Sequence, residues 1–218
     1  MFGKTTAERQ HRITVSLFSA ALVGLVLFLP ATVSATDGFM LGLDLHTSHI
    51  GADDPSPDAP DGSVFVDETG GGITLLVGYG ITESFPLRFT ISASAHETTD
   101  PDVDFLYSSA TLEGGYLFRN GEPFRPFVSG GFGAFAIESR QDDLSFETTG
   151  PGAVIGAGFY YFFNEHFALD FGVRGEFINW EQTTATLTLP GGTDLTVETP
   201  IEDEGSAAKF LFGASYWF

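Results

Sequence analysis

The chain ends in residues 207–218, AAKFLFGASYWF, where side chains of two kinds alternate. One face of this stretch is apolar and mostly aromatic, and it consists of Phe210, Phe212, Ala214, Tyr216 and Phe218. The other face is mixed and carries a charge, and it consists of Lys209, Leu211, Gly213, Ser215 and Trp217. Successive side chains of a β-strand point to opposite sides. The alternation therefore predicts a strand with one apolar face.

Seven earlier segments alternate in the same way, with mainly large apolar residues on one face and mainly small, polar or charged residues on the other. These segments are residues 39–46, 73–81, 87–96, 105–118, 124–137, 152–163 and 167–179. Eight strands of about ten residues suit a barrel whose tilted strands cross a bilayer. We therefore predict an all-β protein, an eight-stranded antiparallel up-and-down transmembrane β-barrel.

A soluble β-sandwich is the alternative, because it is built from similar strands. The second face of the predicted strands argues against it, since small or charged residues do not form a second apolar core. Aromatic residues also gather at the strand ends, as in the interfacial girdles of membrane barrels. These residues are Phe85, Phe118, Phe124, Phe163 and Phe167. Both features favour the membrane barrel.

Residues 1–35 have the features of a secretory signal peptide. A basic start precedes an apolar run at residues 13–29, and the small residues Val33-Ser34-Ala35 follow. A transmembrane anchor is the alternative, but the run is shorter than the about 20 apolar residues that a spanning helix needs. We predict cleavage after Ala35, which leaves residues 36–218 as the mature barrel.

The connections between predicted strands alternate between short and long. The short ones are residues 82–85, 119–122 and 164–166, and the long ones are residues 51–70, 97–104, 138–150 and 181–205. Outer-membrane barrels have short periplasmic turns and longer extracellular loops. The pattern predicts an outer-membrane protein with both termini in the periplasm. Asn120-Gly121 is typical of a tight hairpin turn, and Pro190-Gly191-Gly192 indicates that the last loop extends its strands as a hairpin.

The charge of the chain is strongly negative and unevenly distributed. A formal net charge of −20 excludes a nucleic-acid partner, because a phosphate backbone requires a basic surface. The absence of cysteine excludes disulfides and thiolate metal sites. The four predicted long loops hold twenty of the 29 acidic residues against one basic residue, Arg140. Such a surface attracts counter-ions, and we expect divalent cations as weak partners of the loops.

The predicted inner faces carry nearly balanced charge: Asp44, Glu113, Asp170 and Glu176 against Arg88, Arg174 and Lys209. An unpaired buried charge is costly, so these residues should form an interior network of ion pairs. Counting outward from the hairpin centres places Arg88 opposite Glu113, and Lys209 near Glu176. An eight-stranded barrel is just wide enough for side chains to fill it. We therefore expect no continuous open pore.

Three short motifs raise the question of a ligand site, and we interpret each as structural. The acids of Asp100-Pro101-Asp102-Val103-Asp104 are spaced as in a calcium loop, but the required glycine and closing glutamate are missing. His49 and His96 are two candidate metal ligands, which is too few to define a site. The glycines of residues 129–133 lack the lysine and the following helix of a phosphate loop. We predict no metal and no cofactor.

His46-Thr47-Ser48 places a histidine and a serine on one strand face, with acidic residues nearby. A histidine, serine and acid together could hydrolyse a lipid ester. The pair is similar to the His-x-Ser pair of lipid A deacylase barrels, although that pair lies in a later strand and faces lipid. Here the pair is predicted to point inward. We therefore predict no enzymatic activity and keep a lipid-active hydrolase as an alternative.

Three segments together resemble the OmpA-like outer-membrane β-barrel domains: residues 126–133 (PFVSGGFG), residues 167–176 (FALDFGVRGE) and residues 211–218 (LFGASYWF). The resemblance covers residues 36–218. It implies that Phe212, Tyr216 and Phe218 form a C-terminal signal for the barrel assembly machinery. The sequence lacks the peptidoglycan-binding domain that larger members append, so we expect no tether to the cell wall by that route.

The family resemblance implies a fold and a location but not an activity. We expect a non-enzymatic structural or surface-interaction protein, whose partners are outer-membrane lipid and lipopolysaccharide. A narrow channel for small solutes is the first alternative, and a lipid-active hydrolase is the second.

Overall fold

The structure, a computed structural model of the chain, describes residues 38–51, 66–98, 100, 102–190 and 192–218. The predicted signal peptide and most of the predicted loop at residues 51–70 lie outside these residues. Among the residues described, no helix has both the length and the hydropathy to cross a membrane.

Eight strands form a closed barrel in which each strand pairs antiparallel with its sequence neighbours and the last pairs with the first. They are β1 (Phe39–Ile50), β2 (Val66–Thr82), β3 (Phe85–Thr98), β4 (Val103–Leu117), β5 (Phe124–Gln141), β6 (Leu144–Phe162), β7 (Phe167–Leu189) and β8 (Thr193–Trp217). The predicted fold class is confirmed. Because the barrel is closed, these eight strands leave no sheet edge with unpaired backbone groups. Such an edge would be costly in lipid.

The alternation of side chains decides which face of each strand turns inward. On β8, Phe210 is 67% exposed on the outside, whereas Lys209 and Trp217 are each 1% exposed on the inside. The other seven strands alternate in the predicted register, so the predicted faces are confirmed throughout. Most of the large apolar side chains therefore form the outer surface of the barrel.

The two ends of the barrel differ in their connections. At one end, which we call the turn end, residues 83–84, 118–123 and 163–166 join strands, and the Phe218 amide donates to the Phe39 carbonyl, at 2.9 Å. In the Asn120-Gly121 turn only Gly121, at φ 80°, has a positive φ among the two central residues. That pattern is typical of a type II turn, which needs glycine at its third position.

The opposite end, which we call the loop end, contains more strand than the sequence predicts. Residues 138–150, predicted as a long loop, mostly belong to β5 and β6, which a two-residue turn at Asp142-Asp143 joins. Half of residues 97–104 also belong to strands, since β3 ends at Thr98 and β4 begins at Val103. The error arises because Thr, Phe and Leu keep pairing across strands even where acidic residues interrupt them. The predicted extension of residues 181–205 into a hairpin is confirmed.

Candidate functional site in the barrel interior

The inward side chains form three layers along the barrel axis. An apolar layer at the turn end, the turn-end plug, consists of Met40, Leu76, Leu117, Phe127, Tyr160, Phe162, Ala168 and Trp217. A second apolar layer, the loop-end plug, consists of Ile50, Tyr107, Phe135, Ile178, Trp180 and Ala207. Between them lies the charged layer, which consists of Asp44, Arg88, Glu113, Asp170, Arg174, Glu176 and Lys209. Strand β4 contributes Leu117, Glu113 and Tyr107 to the three layers in turn.

Glu113 is the centre of the first half of the charged layer. Its Oε2 accepts from Arg88 Nη2 at 3.0 Å, as the hairpin geometry predicted, and its Oε1 pairs with Arg174 from across the barrel. Arg88 also donates to the Tyr160 hydroxyl at 3.0 Å, and its guanidinium lies 5.0 Å from the centre of the Phe127 ring. One carboxylate therefore joins β3 to β7, which are not neighbours in the sheet.

Glu176 is the centre of the second half. Lys209 Nζ lies 3.0 Å from Glu176 Oε1, so the second predicted pair is also present. The Tyr107 hydroxyl donates to Glu176 Oε2 at 2.6 Å, and Arg174 Nε lies 3.6 Å from Oε1. Lys209 further lies 4.7 Å from the centre of the Tyr107 ring. This half of the layer therefore contacts the loop-end plug directly.

Hydroxyl groups add further hydrogen bonds to the charged layer. Thr111 donates to Glu113 at 2.9 Å and accepts from Arg174 at 2.7 Å. Ser92 accepts from Lys209 at 2.8 Å and is hydrogen-bonded to Ser109 at 2.8 Å. Each hydrogen bond offsets part of the cost of burying a polar group. The network therefore holds its strands together from the inside.

Asp44 and Asp170 lie in the same layer but differ from the other five predicted network residues. Among the described residues neither carboxyl forms an ion pair within 4.0 Å. They stand on either side of Gly213, which pairs with Asp44 on β1 and with Asp170 on β7. The structure thus brings five of the predicted residues into one ion-pair network and sets these two aside as a pair.

The two apolar plugs are the main feature that the sequence did not predict. The alternation on β8 places Trp217 inward, but no motif singles out Tyr107, Phe135 or Trp180 as interior groups. The alternation does indicate their direction, since Tyr107 lies an even number of residues from Glu113 on β4 and so faces the same way. Only the heights of residues on different strands reveal that such side chains meet in one layer.

A cavity of about 40 Å³ lies within the charged layer, and its lining includes Asp44, Arg88, Tyr160, Asp170 and Arg174. A buried water needs at least about 10–15 Å³ of such space. The cavity therefore suits a few waters rather than an organic solute.

The histidine and serine pair predicted on β1 does face inward, as expected. His46 is hydrogen-bonded to Thr74 at 3.0 Å, whereas Ser48 Oγ lies 2.9 Å from His96 Nε2. Ser48 is 1% exposed. Ser48 therefore has a histidine partner other than the one its sequence motif suggests, and it is enclosed within the barrel.

The other candidate ligands are dispersed. His49 faces outward, with Nε2 3.1 Å from Glu68, while His96 faces inward, so the two histidines do not meet. Asp100 accepts from the Asp102 amide at 3.0 Å, which shapes the turn. Within the described ranges, no three His, Cys, Asp or Glu residues are placed to share a metal ion.

The loop end carries an ordered row of acidic residues. Glu138 on β5 stands opposite Glu147 on β6, and Thr184 then connects this row to Glu198 on β8. Arg140 lies 2.5 Å from Glu138. Like charges directly opposite each other destabilise a sheet. In this acidic row, Glu138, Glu147 and Glu198, the first two residues therefore repel each other across the hairpin, and Arg140 offsets part of that repulsion.

The residues of the predicted assembly signal lie on the outer face of β8. Phe212 packs on Phe171 with ring centres 4.7 Å apart, and Tyr216 meets Phe218 edge to face at 4.9 Å. Tyr216 and Phe218 lie at the turn end, where interfacial aromatic residues are expected. Their role in assembly stays a prediction.

Comparisons with known proteins agree with this architecture. The family model described as "Outer membrane protein beta-barrel domain" matches residues 18–218. Neisserial surface protein A has 17% identity and a TM-score of 0.56, and the match covers 84% of this chain and 98% of that one. OprG from Pseudomonas aeruginosa has 16% identity and a TM-score of 0.53, with 84% and 97% covered.

A major outer membrane protein from Thermus thermophilus is similar as well, with 11% identity, a TM-score of 0.52, and 82% and 99% covered. At such identities the likeness concerns the fold alone. No curated protein is similar enough in sequence to count as a relative. The matched family model covers most of the chain, and the chain therefore belongs to the outer membrane protein β-barrel domain family and is a protein of the outer membrane.

Proposed function

We propose that this protein is a non-enzymatic surface protein, in which a closed barrel supports an acidic working surface at the loop end. The observation that carries the proposal is the filled interior. Two apolar plugs enclose a charged layer in which Glu113 and Glu176 hold Arg88, Arg174 and Lys209. An interior of this kind provides stability rather than passage.

A narrow channel for small solutes is the competing function, and planar-bilayer recording separates the two. A permeating ion would have to displace Trp180 and Trp217 in the plugs and then break the Glu113 pairs. Purified wild-type protein should show no reproducible open steps. A variant with trimmed plugs, Trp180→Ala with Trp217→Ala, serves as the comparison and should conduct more readily. Regular open steps from the wild type would overturn the closed-interior proposal.

The interior position of Ser48 supports a non-enzymatic role. A nucleophile for lipid esters must reach lipid, but Ser48 is buried and hydrogen-bonded to His96. We expect wild type and Ser48→Ala to show the same lipid turnover, at the background level of empty membranes. Turnover that the substitution abolishes would instead identify a hydrolase.

The proposed orientation places the loop end outside the cell and both termini in the periplasm. Its support is the contrast between short connections at the turn end and long hairpins at the loop end. The chain has no cysteine, so single introduced thiols can be labelled cleanly. A membrane-impermeant maleimide should label Asp142→Cys on intact cells but label Ser84→Cys only after lysis. The reverse pattern would invert the orientation.

The proposed partner of the acidic row is the phosphate of lipopolysaccharide, bridged by divalent cations. The row and the phosphates are both negative, so direct contact is unfavourable without a cation. We expect Mg²⁺ to increase binding of the protein to lipopolysaccharide vesicles, and the triple variant Glu138→Gln, Glu147→Gln, Glu198→Gln to lose that increase. The matched control, Glu83→Gln with Glu122→Gln at the turn end, should keep it. Equal Mg²⁺ dependence in both variants would exclude the row as the site.

A further inference from the structure

Asp44 and Asp170 are brought together by the closure of the barrel. Asp44 lies on β1 and Asp170 on β7, and both stand directly opposite Gly213 of the intervening β8. Asp44 is 5% exposed and Asp170 is 7% exposed, so both carboxyls are buried. Three strands therefore bring two acidic residues to one height inside the barrel.

Gly213 is what allows the two carboxyl groups to meet. A Cβ at position 213 would collide with Asp44 Oδ1 and with the Leu43 carbonyl, so the Asp44 carboxyl occupies the space above the glycine. Asp170 is within hydrogen-bonding reach of both Asp44 and Ser215. The space that a side chain at position 213 would occupy thus holds the contact between the two aspartates.

The two carboxyls lack a donor between them. Oδ1 of Asp44 and Oδ1 of Asp170 are buried without a hydrogen-bond partner among the described groups. The nearby arginines form their ion pairs with glutamates, since Arg88 pairs with Glu113, and Arg174 pairs with Glu113 and Glu176. The Nε groups of both arginines are buried without a hydrogen-bond partner, but neither arginine lies within 4.0 Å of an aspartate carboxyl among the described residues. Two ionised carboxylates in contact repel strongly where the dielectric is low.

A metal ion is a poor candidate for the missing positive charge. Calcium takes about six to eight oxygen ligands, and this pair offers two carboxyls. Arg88 and Arg174 also line the adjoining cavity and oppose a further cation there. A proton needs neither more ligands nor more space.

We infer that Asp44 and Asp170 share a single proton at neutral pH, which forms a hydrogen bond inside the barrel and ties β1 to β7 across Gly213. Two carboxyls that cannot both ionise commonly share one proton. The pair is then a proton-binding site, whereas the rest of the charged layer consists of ion pairs.

The other titratable groups near the pair come from five strands. They are His46 on β1, Arg88 on β3, Glu113 on β4, Tyr160 on β6 and Arg174 on β7. Strands β2 and β5 contribute Thr74, Leu76, Phe127 and Ser129 to the cavity, and β8 contributes Leu211, so these strands add no titratable group to its lining.

The inference fixes the sign of a pH effect. Unfolded aspartates are ionised above about pH 5, so the folded barrel would hold one proton more than the unfolded chain. Stability then falls as pH rises, and the unfolding equilibrium constant increases about tenfold per pH unit while the proton stays bound. Asp44→Asn and Asp170→Asn should each remove this slope, because an amide donates the hydrogen bond without a titrating proton.

Urea unfolding of the full barrel in lipid vesicles, between about pH 6 and pH 8, tests this prediction. The slope of the wild type minus that of each Asn variant cancels the contribution of the histidines. Asp143→Asn, a matched change in the exposed turn of the loop end, should keep the wild-type slope. Equal slopes in wild type and in both interior variants would overturn the shared proton.

Infrared spectroscopy provides a second test, whose first readout needs only the wild type. Wild type at neutral pH should show the carbonyl stretch of one protonated carboxylic acid, and the band should disappear as the pH is raised. Either interior Asn substitution should remove the band. Its absence from the wild type would refute the inference, as would stabilisation by Na⁺ or Ca²⁺ that the wild type shows and Asp170→Asn lacks.

Discussion

The membrane-spanning wall and the protruding hairpins are made of the same strands, yet they turn opposite kinds of side chain outward. In the wall the outward residues are apolar, as at Leu45 and Phe132. At the loop end the outward face of the β5–β6 and β7–β8 hairpins carries the acidic row of Glu138, Glu147 and Glu198. The solvent outside the wall is lipid, and the solvent outside the hairpins is water.

The inner face of the hairpins is correspondingly apolar. Two adjacent rows on this face consist of Leu144, Leu187 and Leu195, and of Phe146, Ala185 and Val197. Ile137 shows that this is the inner face. It packs against the loop-end plug and stands opposite Thr148, which lies two residues along β6 from Phe146 and therefore on the same face. The hairpins therefore follow the pattern of a water-exposed sheet with one apolar side.

The switch of the apolar side chains from the outer face of the wall to the inner face of the hairpins has a different cause in different strands. In β5 and β6 the pairing register is continuous, so only the residue types change. In β7 the register shifts between Ile178 and Gln182, where four residues of β7 stand against three of β6, and this moves the alternation by one residue. Trp180 and Leu187 consequently share the inner face despite their opposite parity. The shift lies where the apolar outer surface ends, and we therefore expect one edge of the bilayer near Glu181.

Deleting Phe218 should have the largest effect, because it removes a residue that closes the barrel seam at the turn end. Its amide bonds to the Phe39 carbonyl, and its ring packs on Tyr216. We expect most of the protein to be lost from the outer membrane while export continues, as measured by immunoblots of separated membranes. Replacing residues 183–199 by a short turn should leave outer-membrane levels near normal. Normal levels without Phe218 would contradict the assembly role.

Glu113→Ala should come next, because it leaves Arg88 and Arg174 buried without their shared partner. Breaking a buried ion pair from one side costs about 3–5 kcal/mol. The free energy of unfolding in lipid vesicles measures the loss. Glu198→Ala, the same change on a hairpin, should stay within about 0.5 kcal/mol of wild type. A similar loss at both positions would remove the energetic distinction between interior and hairpin.

Val173→Arg tests where the lipid-facing surface lies. A cationic side chain on the lipid face near the bilayer centre costs about 2–4 kcal/mol. Val173 faces outward in the wall, whereas Thr196 lies on the outer face of the β7–β8 hairpin. Thr196→Arg should therefore be nearly neutral in the same unfolding measurement. A large cost at Thr196 would move the bilayer edge beyond the register shift.

Glu147→Gln should have the smallest effect and a favourable sign in the absence of divalent cations. It removes the like-charge pair with Glu138, and cross-strand pairs contribute about 0.2–1 kcal/mol. Added Mg²⁺ should stabilise the wild type by a similar amount and the variant less, as followed by thermal unfolding. A variant that responds to Mg²⁺ as strongly as the wild type would argue against cation binding at the row.

The faces of the strands follow from the sequence alone, because the direction of a side chain depends only on the parity of its position. The Arg88–Glu113 contact could also be predicted, since the centre of the hairpin at residues 97–104 sets the register of its two strands. The sequence pattern predicts strands that are too short at the loop end, where acidic residues such as Glu138 and Glu147 interrupt the apolar alternation. Local composition does not reveal that such residues still pair.

Contacts between strands that are distant in sequence depend instead on the closed barrel. Arg174 reaches Glu113 across the barrel, and Tyr107, Phe135 and Trp180 meet at one height. Asp44 and Asp170 become a pair because β8 closes the barrel between them with a glycine. The strand tilt and stagger of a closed barrel set these heights, and no single hairpin contains that information.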